Sequence, residues 1–179
     1  MTDHSKRQAT PDELKALSHP VRWRILRMCL EESLTNKELA DRLDLAPATV
    51  LRHVRVLSDH GFLEAQDPRP GKRGAWERPY RATQLTTRLS LESPKHPELT
   101  RGIEIAALDA HRAELLEQPP EASVSTNRSQ LRLSRQDTEE FLRRIHELWS
   151  EFENRQDPAG QRLSIMWSHI AIADRDADG

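Results

Sequence analysis

The stretch that most restricts the fold is 35–61, TNKELADRLDLAPATVLRHVRVLSDHG. Thr35-Asn36-Lys37-Glu38 has capping-box spacing: the Thr35 hydroxyl can accept the backbone N–H of Glu38, and the Glu38 carboxylate can accept the N–H of Thr35. Leu39, Ala40 and Leu43 then form one apolar stripe, and Asp44-Leu45 breaks the helix. Pro47 falls where the next helix begins, a position at which its fixed φ helps and its missing N–H costs nothing. Val50, Val54 and Leu57 recur at four- and three-residue spacing and face a core, leaving Thr49, Arg52, His53 and Arg55 on the other sides. Gly61 stops the helix, and Phe62-Leu63 begins a strand. Two short helices joined by a tight turn fit either an ordinary helix hairpin or a helix-turn-helix, and the flanking sequence decides between them.

After Gly61 come FLEAQ, DPRPGKRGA and WERPYRAT: two strand-like runs around a loop of Pro, Gly and cations. A helix-turn-helix followed by a basic hairpin is a winged helix. Upstream, a helix starting at Pro20 puts Val21, Ile25 and Met28 or Cys29 on its inner face. The segments ALSHPVRWRIL, LTNKELADRLDLAPATVLRHVRVLSDHGFLE and YRAT resemble the N-terminal half of ArsR-type winged helix-turn-helix transcriptional regulators, over about residues 11–83.

The resemblance implies a homodimeric, sequence-specific DNA-binding regulator, a repressor as in most such proteins, with the Pro47–Asp59 helix in the major groove of double-stranded DNA. Arg52 is the expected base reader, because its fork can bond guanine O6 and N7 together. Ala48 and Thr49 are expected at thymine methyls or hydroxyl contacts, and Arg55 joins them in the interface. His53 matches the family's histidine and holds a phosphate or the helix packing. Leu51 stands where the family commonly has Ser, so that polar contact is lost. Arg69, Lys72 and Arg73 are expected at the wing tip, against phosphates or the minor groove. The rival is a winged-helix protein-interaction module that does not bind DNA.

Composition supports the division. Residues 1–81 hold 15 Lys/Arg and 12 Asp/Glu, whereas the other 98 hold 12 and 17, so a basic head precedes an acidic body. Arg69, Lys72, Arg73, Arg78 and Arg81 crowd the hairpin and its flanks. Only 36% of the chain is hydrophobic, a lean core that a second copy would complete. No apolar run reaches membrane-spanning length, and MTDHSKRQAT lacks a signal peptide's apolar segment, so a cytoplasmic protein without membrane partners is expected.

Residues 84–97 read as a linker, punctuated by Ser93-Pro94-Lys95-His96-Pro97. From Glu98 to Gln118 two apolar lines share one helix: Leu99, Ile103, Ala106, Ala110 and Ala113, and beside them Ile105, Leu108, Arg112 and Leu115. One line can cover its own domain and the other can meet another helix; in ArsR-type proteins the helix after the wing joins the dimer interface. The close-packed alanines Ala106 and Ala110 are the expected dimer contact. Gln118-Pro119-Pro120 ends the helix, and 121–127 is a polar loop.

Residues 128–173 read as a strand–helix–strand unit serving dimerisation or an effector. Gln130–Leu133 alternates, Ser134 caps a helix carrying Phe141, Leu142, Ile145, Leu148, Trp149 and Phe152, and Gln161–Ile172 alternates again. The expected fold is mainly α with small β: a winged helix-turn-helix, a long dimerisation helix and this small unit. Trp149, Phe152 and Trp167 either line a pocket for an unknown small-molecule effector or pack.

No cofactor is expected. The single cysteine, Cys29, excludes an internal disulfide, and the segment Lys37–Leu43, where many ArsR-type sensors carry paired cysteines, has none. Asp109-Ala110-His111 matches half of another family metal site, but Ala122 and Ser125 occupy the later ligand positions. His19 is expected to cap or pack. No Gly-rich phosphate loop, HExxH or GxSxG occurs, so catalysis is not expected.

Overall fold

The computed structural model describes residues 6–71, 74–122, 124–157 and 159–172. They form two compact units, one built on 6–117 with 166–172 and the other on 118–165. The larger unit runs β1 (Arg7–Gln8), α1 (Pro11–Leu17), α2 (Pro20–Glu31), β2 (Leu34–Thr35), α3 (Asn36–Leu43), α4 (Pro47–Asp59) and β3 (Leu63–Ala65). It continues through β4 (Arg69–Pro70), β5 (Trp76–Glu77), β6 (Pro79–Ala82), α5 (Leu85–Arg88), β7 (Leu89–Ser90) and α6 (Pro97–Glu117).

Local chemistry sets the helix starts. In α3 the Glu38 N–H donates to Thr35 Oγ1 at 3.2 Å and the Thr35 N–H donates to Glu38 Oε2 at 2.8 Å, the expected reciprocal cap. Thr10 and Glu13 repeat the device on α1, where Arg7 also holds the Glu13 carboxylate at 2.7 Å. On α2 the cap is His19, whose Nδ1 accepts the Val21 N–H at 3.2 Å. Asp44 closes α3 in the left-handed region at φ 52°, and Gly61 ends α4 at φ 74°, a value that suits glycine.

A three-stranded sheet in the order β2–β6–β3 closes one side of the helices, with Leu34 opposite Tyr80 and Glu64 opposite Arg81. β4 and β5 extend the hairpin outward, and the Gly71 N–H donates to the Ala75 carbonyl at 2.8 Å near its tip. This is the winged helix-turn-helix expected from the sequence. Leu14, Leu17, Ile25, Leu39, Val50, Val54, Leu57 and Phe62 are fully buried in one cluster, each contributing roughly 1.5–3 kcal/mol by leaving water.

The stretch read as a linker is more ordered than expected. It holds α5 and β7, and β7 pairs in parallel with β1, Arg7 opposite Leu89. Such two-residue strands carry no periodicity for a sequence to display.

α6 lies against α1 and α2. Ile103, Ala106 and Ala110 are its buried residues, so the alanine line covers the chain's own helices; it is not an open face for a second copy. Arg24 bonds Glu117, and Arg27 Nε lies 3.2 Å from Glu114, tying α2 to the C-terminal half of α6. The second line stays open, with Ile105 53% and Leu108 45% exposed.

The smaller unit carries α7 (Arg135–Glu153), capped by Ser134, whose Oγ accepts the Asp137 N–H at 3.1 Å. Arg143 and Arg144 lace its polar side to Glu140 and Glu147. The helix is the one expected, but the strands on either side of it are not formed: among the described residues neither 130–133 nor 161–172 pairs in a ladder. Alternation supplies one face, while a strand also needs a neighbour's N–H and C=O groups. Leu131, Leu133, Leu163 and Ile165 remain exposed.

Candidate nucleic-acid interface

α4 turns its two sides to different environments. Val50, Val54 and Leu57 are buried beneath it, while Ala48, Thr49, Arg52 and Arg55 are exposed on its outer side. Pro47 opens the helix without a side-chain cap, and the Asn36 amide donates to the Pro47 carbonyl at 3.0 Å, fixing the first turn of α4 to the first turn of α3. A recognition surface made this way is held by rigid elements on its inner side and left free on the other.

His53 belongs to the inner side. It is 5% exposed, and its ring centroid lies 4.4 Å from that of His19, tilted by 49°. Burial, then His19, Arg22 and Arg52, push its pKa down to about 4, so the imidazole is neutral at physiological pH. Burial also lowers His19, followed by the charges of Arg22 and Arg52. Because His19 Nδ1 accepts the Val21 N–H, the neutral ring carries its proton on Nε2.

The wing differs in part from expectation. Arg69 is not at the tip: it lies in β4, and its Nη2 donates to both Glu38 oxygens at 2.8 Å, anchoring the hairpin base to the capping box of α3. Lys72 and Arg73 lie outside the described residues. Arg78 and Arg81 are exposed, and so is Trp76 on β5.

One residue that sequence reading passed over stands beside α4. Arg22, on the first turns of α2, lines a half-open cleft of about 260 Å³ with His19, Arg52, His53 and Val56. The available signal was the HP-x-R run, in which Arg22 follows His19 by three residues and so shares its helix side. Among the described residues no three His, Cys, Asp or Glu side chains group as a metal site, and Asp109 is exposed on α6.

Residues 17–66 match a protein-family model described as a helix-turn-helix domain. Among solved structures, the chain is similar to reduced HlyU from Vibrio cholerae N16961, at 24% identity over 57% of this chain and 84% of that one, with a TM-score of 0.34. The transcriptional repressor BigR from Xylella fastidiosa shares 20% over 59% and 84%, with a TM-score of 0.35. The adhesin competence repressor AdcR from Streptococcus pyogenes shares 14% over 85% of each chain, with a TM-score of 0.33. No curated protein matches the chain significantly. The overall superpositions are weak, and the assignment rests on the helix-turn-helix geometry and the matched family.

That geometry and that match define a winged helix-turn-helix domain, the class of fold used by DNA-binding transcriptional regulators. Within the class the chain is similar to the ArsR type, through ALSHPVRWRIL and the α3–α4 motif. No helix among the described residues is long and apolar enough to cross a membrane.

Proposed function

We propose that this chain is a homodimeric, sequence-specific repressor that docks α4 of each copy into successive major grooves of a two-fold DNA site. The observation that carries the reading is the division of α4: Ala48, Thr49, Arg52 and Arg55 stand outward from a helix whose other side is locked by Val50, Val54 and Leu57. The outer face is cationic and α4 carries no acidic residue in its first turn, as a phosphate-lined groove requires. Exposed Arg78 and Arg81 add charge beside the wing.

The open line of α6 supports a dimer. Ile105, Leu108 and Leu115 are exposed on a helix whose opposite side is already buried, and a second copy of the same line would remove them from water. Repression is proposed from the likeness to ArsR-type regulators, and the effector would be a small molecule of unassigned chemistry. The described residues of α7 present Trp149 and Phe152 on an open apolar face, where either packing or effector binding would use them.

The test is binding to duplex. Affinity for random DNA should fall steeply with salt, and fragments recovered by footprinting should contain half-sites about one helical turn, roughly 10–10.5 base pairs, or a multiple apart. Absence of any duplex affinity at low salt would transfer the function to protein interaction.

A further inference from the structure

Arg22 and Arg52 are two like charges facing one cleft without a counter-charge. Neither has a hydrogen bond or ion pair among the described residues, and Arg22 Nε is buried with no partner. The guanidinium of Arg22 is held below its ordinary pKa, first by burial and then by Arg52. No carboxylate figures among the groups acting on Arg22, His19 or His53. Five other arginines of this unit do meet a carboxylate: Arg7 with Glu13, Arg24 with Glu117, Arg27 with Glu114, Arg42 with Glu32 and Arg69 with Glu38. A buried donor without an acceptor, next to a second unpaired guanidinium, is costly unless a ligand completes it.

We propose that the cleft formed by Arg22, Arg52, His19 and His53 is a phosphate site, and that its occupant is a backbone phosphate of the bound DNA. The proposal rests on the DNA-binding reading above and deepens it by giving Arg52 a phosphate in place of a base edge. The donors fit a tetrahedral oxyanion better than a carboxylate. A single arginine fork satisfies both coplanar oxygens of a carboxylate, whereas two guanidiniums and the Nε2–H of His19 call for oxygens in more than one plane. The first turn of α2 contains no acidic residue and contributes its N-terminal dipole at the same place. The cleft is half open and about 260 Å³, which admits a phosphate still attached to its sugars. Its mouth is shared with Arg52 on the outer side of α4, the side proposed to meet the groove. His53 lines the cleft as a neutral ring and brings no charge of its own to it.

The experiment uses the full chain with ring-labelled histidine and follows the His19 and His53 signals by NMR. Random duplex and inorganic phosphate are titrated separately, and duplex affinity is measured against salt for wild type, Arg22→Gln, Arg22→Lys and Arg52→Gln. Duplex should shift both ring signals. Arg22→Gln and Arg52→Gln should each weaken random and cognate duplex equally, about tenfold, and flatten the salt slope by about one phosphate. Arg22→Lys should recover the slope but only part of the affinity, because the charge remains without the fork. Arg52→Gln, on the exposed side of α4, keeps the test valid if the Arg22 variants fold poorly. Ring shifts with millimolar phosphate but none with duplex would keep the oxyanion site and overturn the DNA phosphate as its occupant. Tight duplex binding with silent rings and an unchanged slope in both glutamine variants would overturn the site and leave the DNA-binding reading standing. Silence towards both ligands overturns the proposal whatever the protein does with DNA.

Discussion

Two glutamates placed two residues apart on α6 should do opposite things. Ala106 is 3% exposed and faces the packing of α6 on α1 and α2, whereas Leu108 is 45% exposed on the other line. Ala106→Glu forces extra atoms into a filled contact, at about 1–3 kcal/mol, and adds a carboxylate with no partner, at several kcal/mol before proton uptake relieves part of it. A net loss of about 4 kcal/mol is a large share of a typical stability of roughly 5–15 kcal/mol. For a chain of this length it lowers the melting temperature by about 8–16 °C. Leu108→Glu loses only the packing of a half-exposed side chain and should lower monomer stability by no more than about 1 kcal/mol. In the proposed dimer it sets like charges on the shared face. Sedimentation velocity should therefore show a dimer for wild type and a monomer for Leu108→Glu, and the wild type's melting temperature alone should rise with concentration. An unchanged dimer in Leu108→Glu would refute the open line as the interface. A wild-type melting temperature in Ala106→Glu would refute the packing of α6 described here.

Three further outcomes follow from single side chains. The Glu13 carboxyl is held down to about 2, chiefly by the Arg7 hydrogen bonds against the opposing effect of burial, so its contribution to stability is complete above the unfolded value near 4.5 and fades as pH falls towards 2. Glu13→Gln should cost about 1–2 kcal/mol at pH 7 by denaturant unfolding and almost nothing near pH 2; an equal cost at both would refute the ionic cap. Burial pushes the Cys29 thiol up to about 12, so thiol reagents at pH 8 should label it only after unfolding, and an oxidant should leave duplex affinity unchanged; rapid labelling of the folded chain would refute its inertness. Since Arg69 is occupied by Glu38, Arg69→Ala should flatten the salt slope by much less than one phosphate, and a full unit of change would show that the pair opens on DNA.

What the sequence revealed was whatever is decided within a few residues. The Thr35–Glu38 cap, Pro47 at the start of α4 and Gly61 at its end are local devices, and those helix ends stand where their residue types put them. The ring of His19 as a cap was legible for the same reason. Readings that needed a distant partner fared differently. Alternation at 130–133 and 161–172 described a face without saying whether another strand would meet it. The two lines of α6 were visible, but equal hydrophobicity could not say which one meets α2; small size decides it, because Ala106 and Ala110 let the helices approach. Arg69 looked like a free wing cation because Glu38 is 31 positions away in the chain. Arg22 was hidden by its own motif, where Val21 and Ile25 drew the reading towards packing.

The same α2 that carries Arg22 and His19 at its start is fastened to α6 further along. Arg24 and Arg27 hold Glu117 and Glu114, on the last turns of the helix whose open line is the proposed dimer face. α2 also touches α4 and β6, so it is packed against α4, the central strand of the sheet and α6 together. Close-packed interiors do not deform continuously. A shift of α6 at the proposed dimer face would therefore move α2 as a body, and with it the position of Arg22 relative to Arg52 on α4. Two guanidiniums that share one phosphate are sensitive to such a displacement, since a fork separated from its acceptor by an extra ångström loses most of its bond. In the proposed dimer, α2 is therefore the element through which a change at the open line of α6 would reach the Arg22–Arg52 cleft.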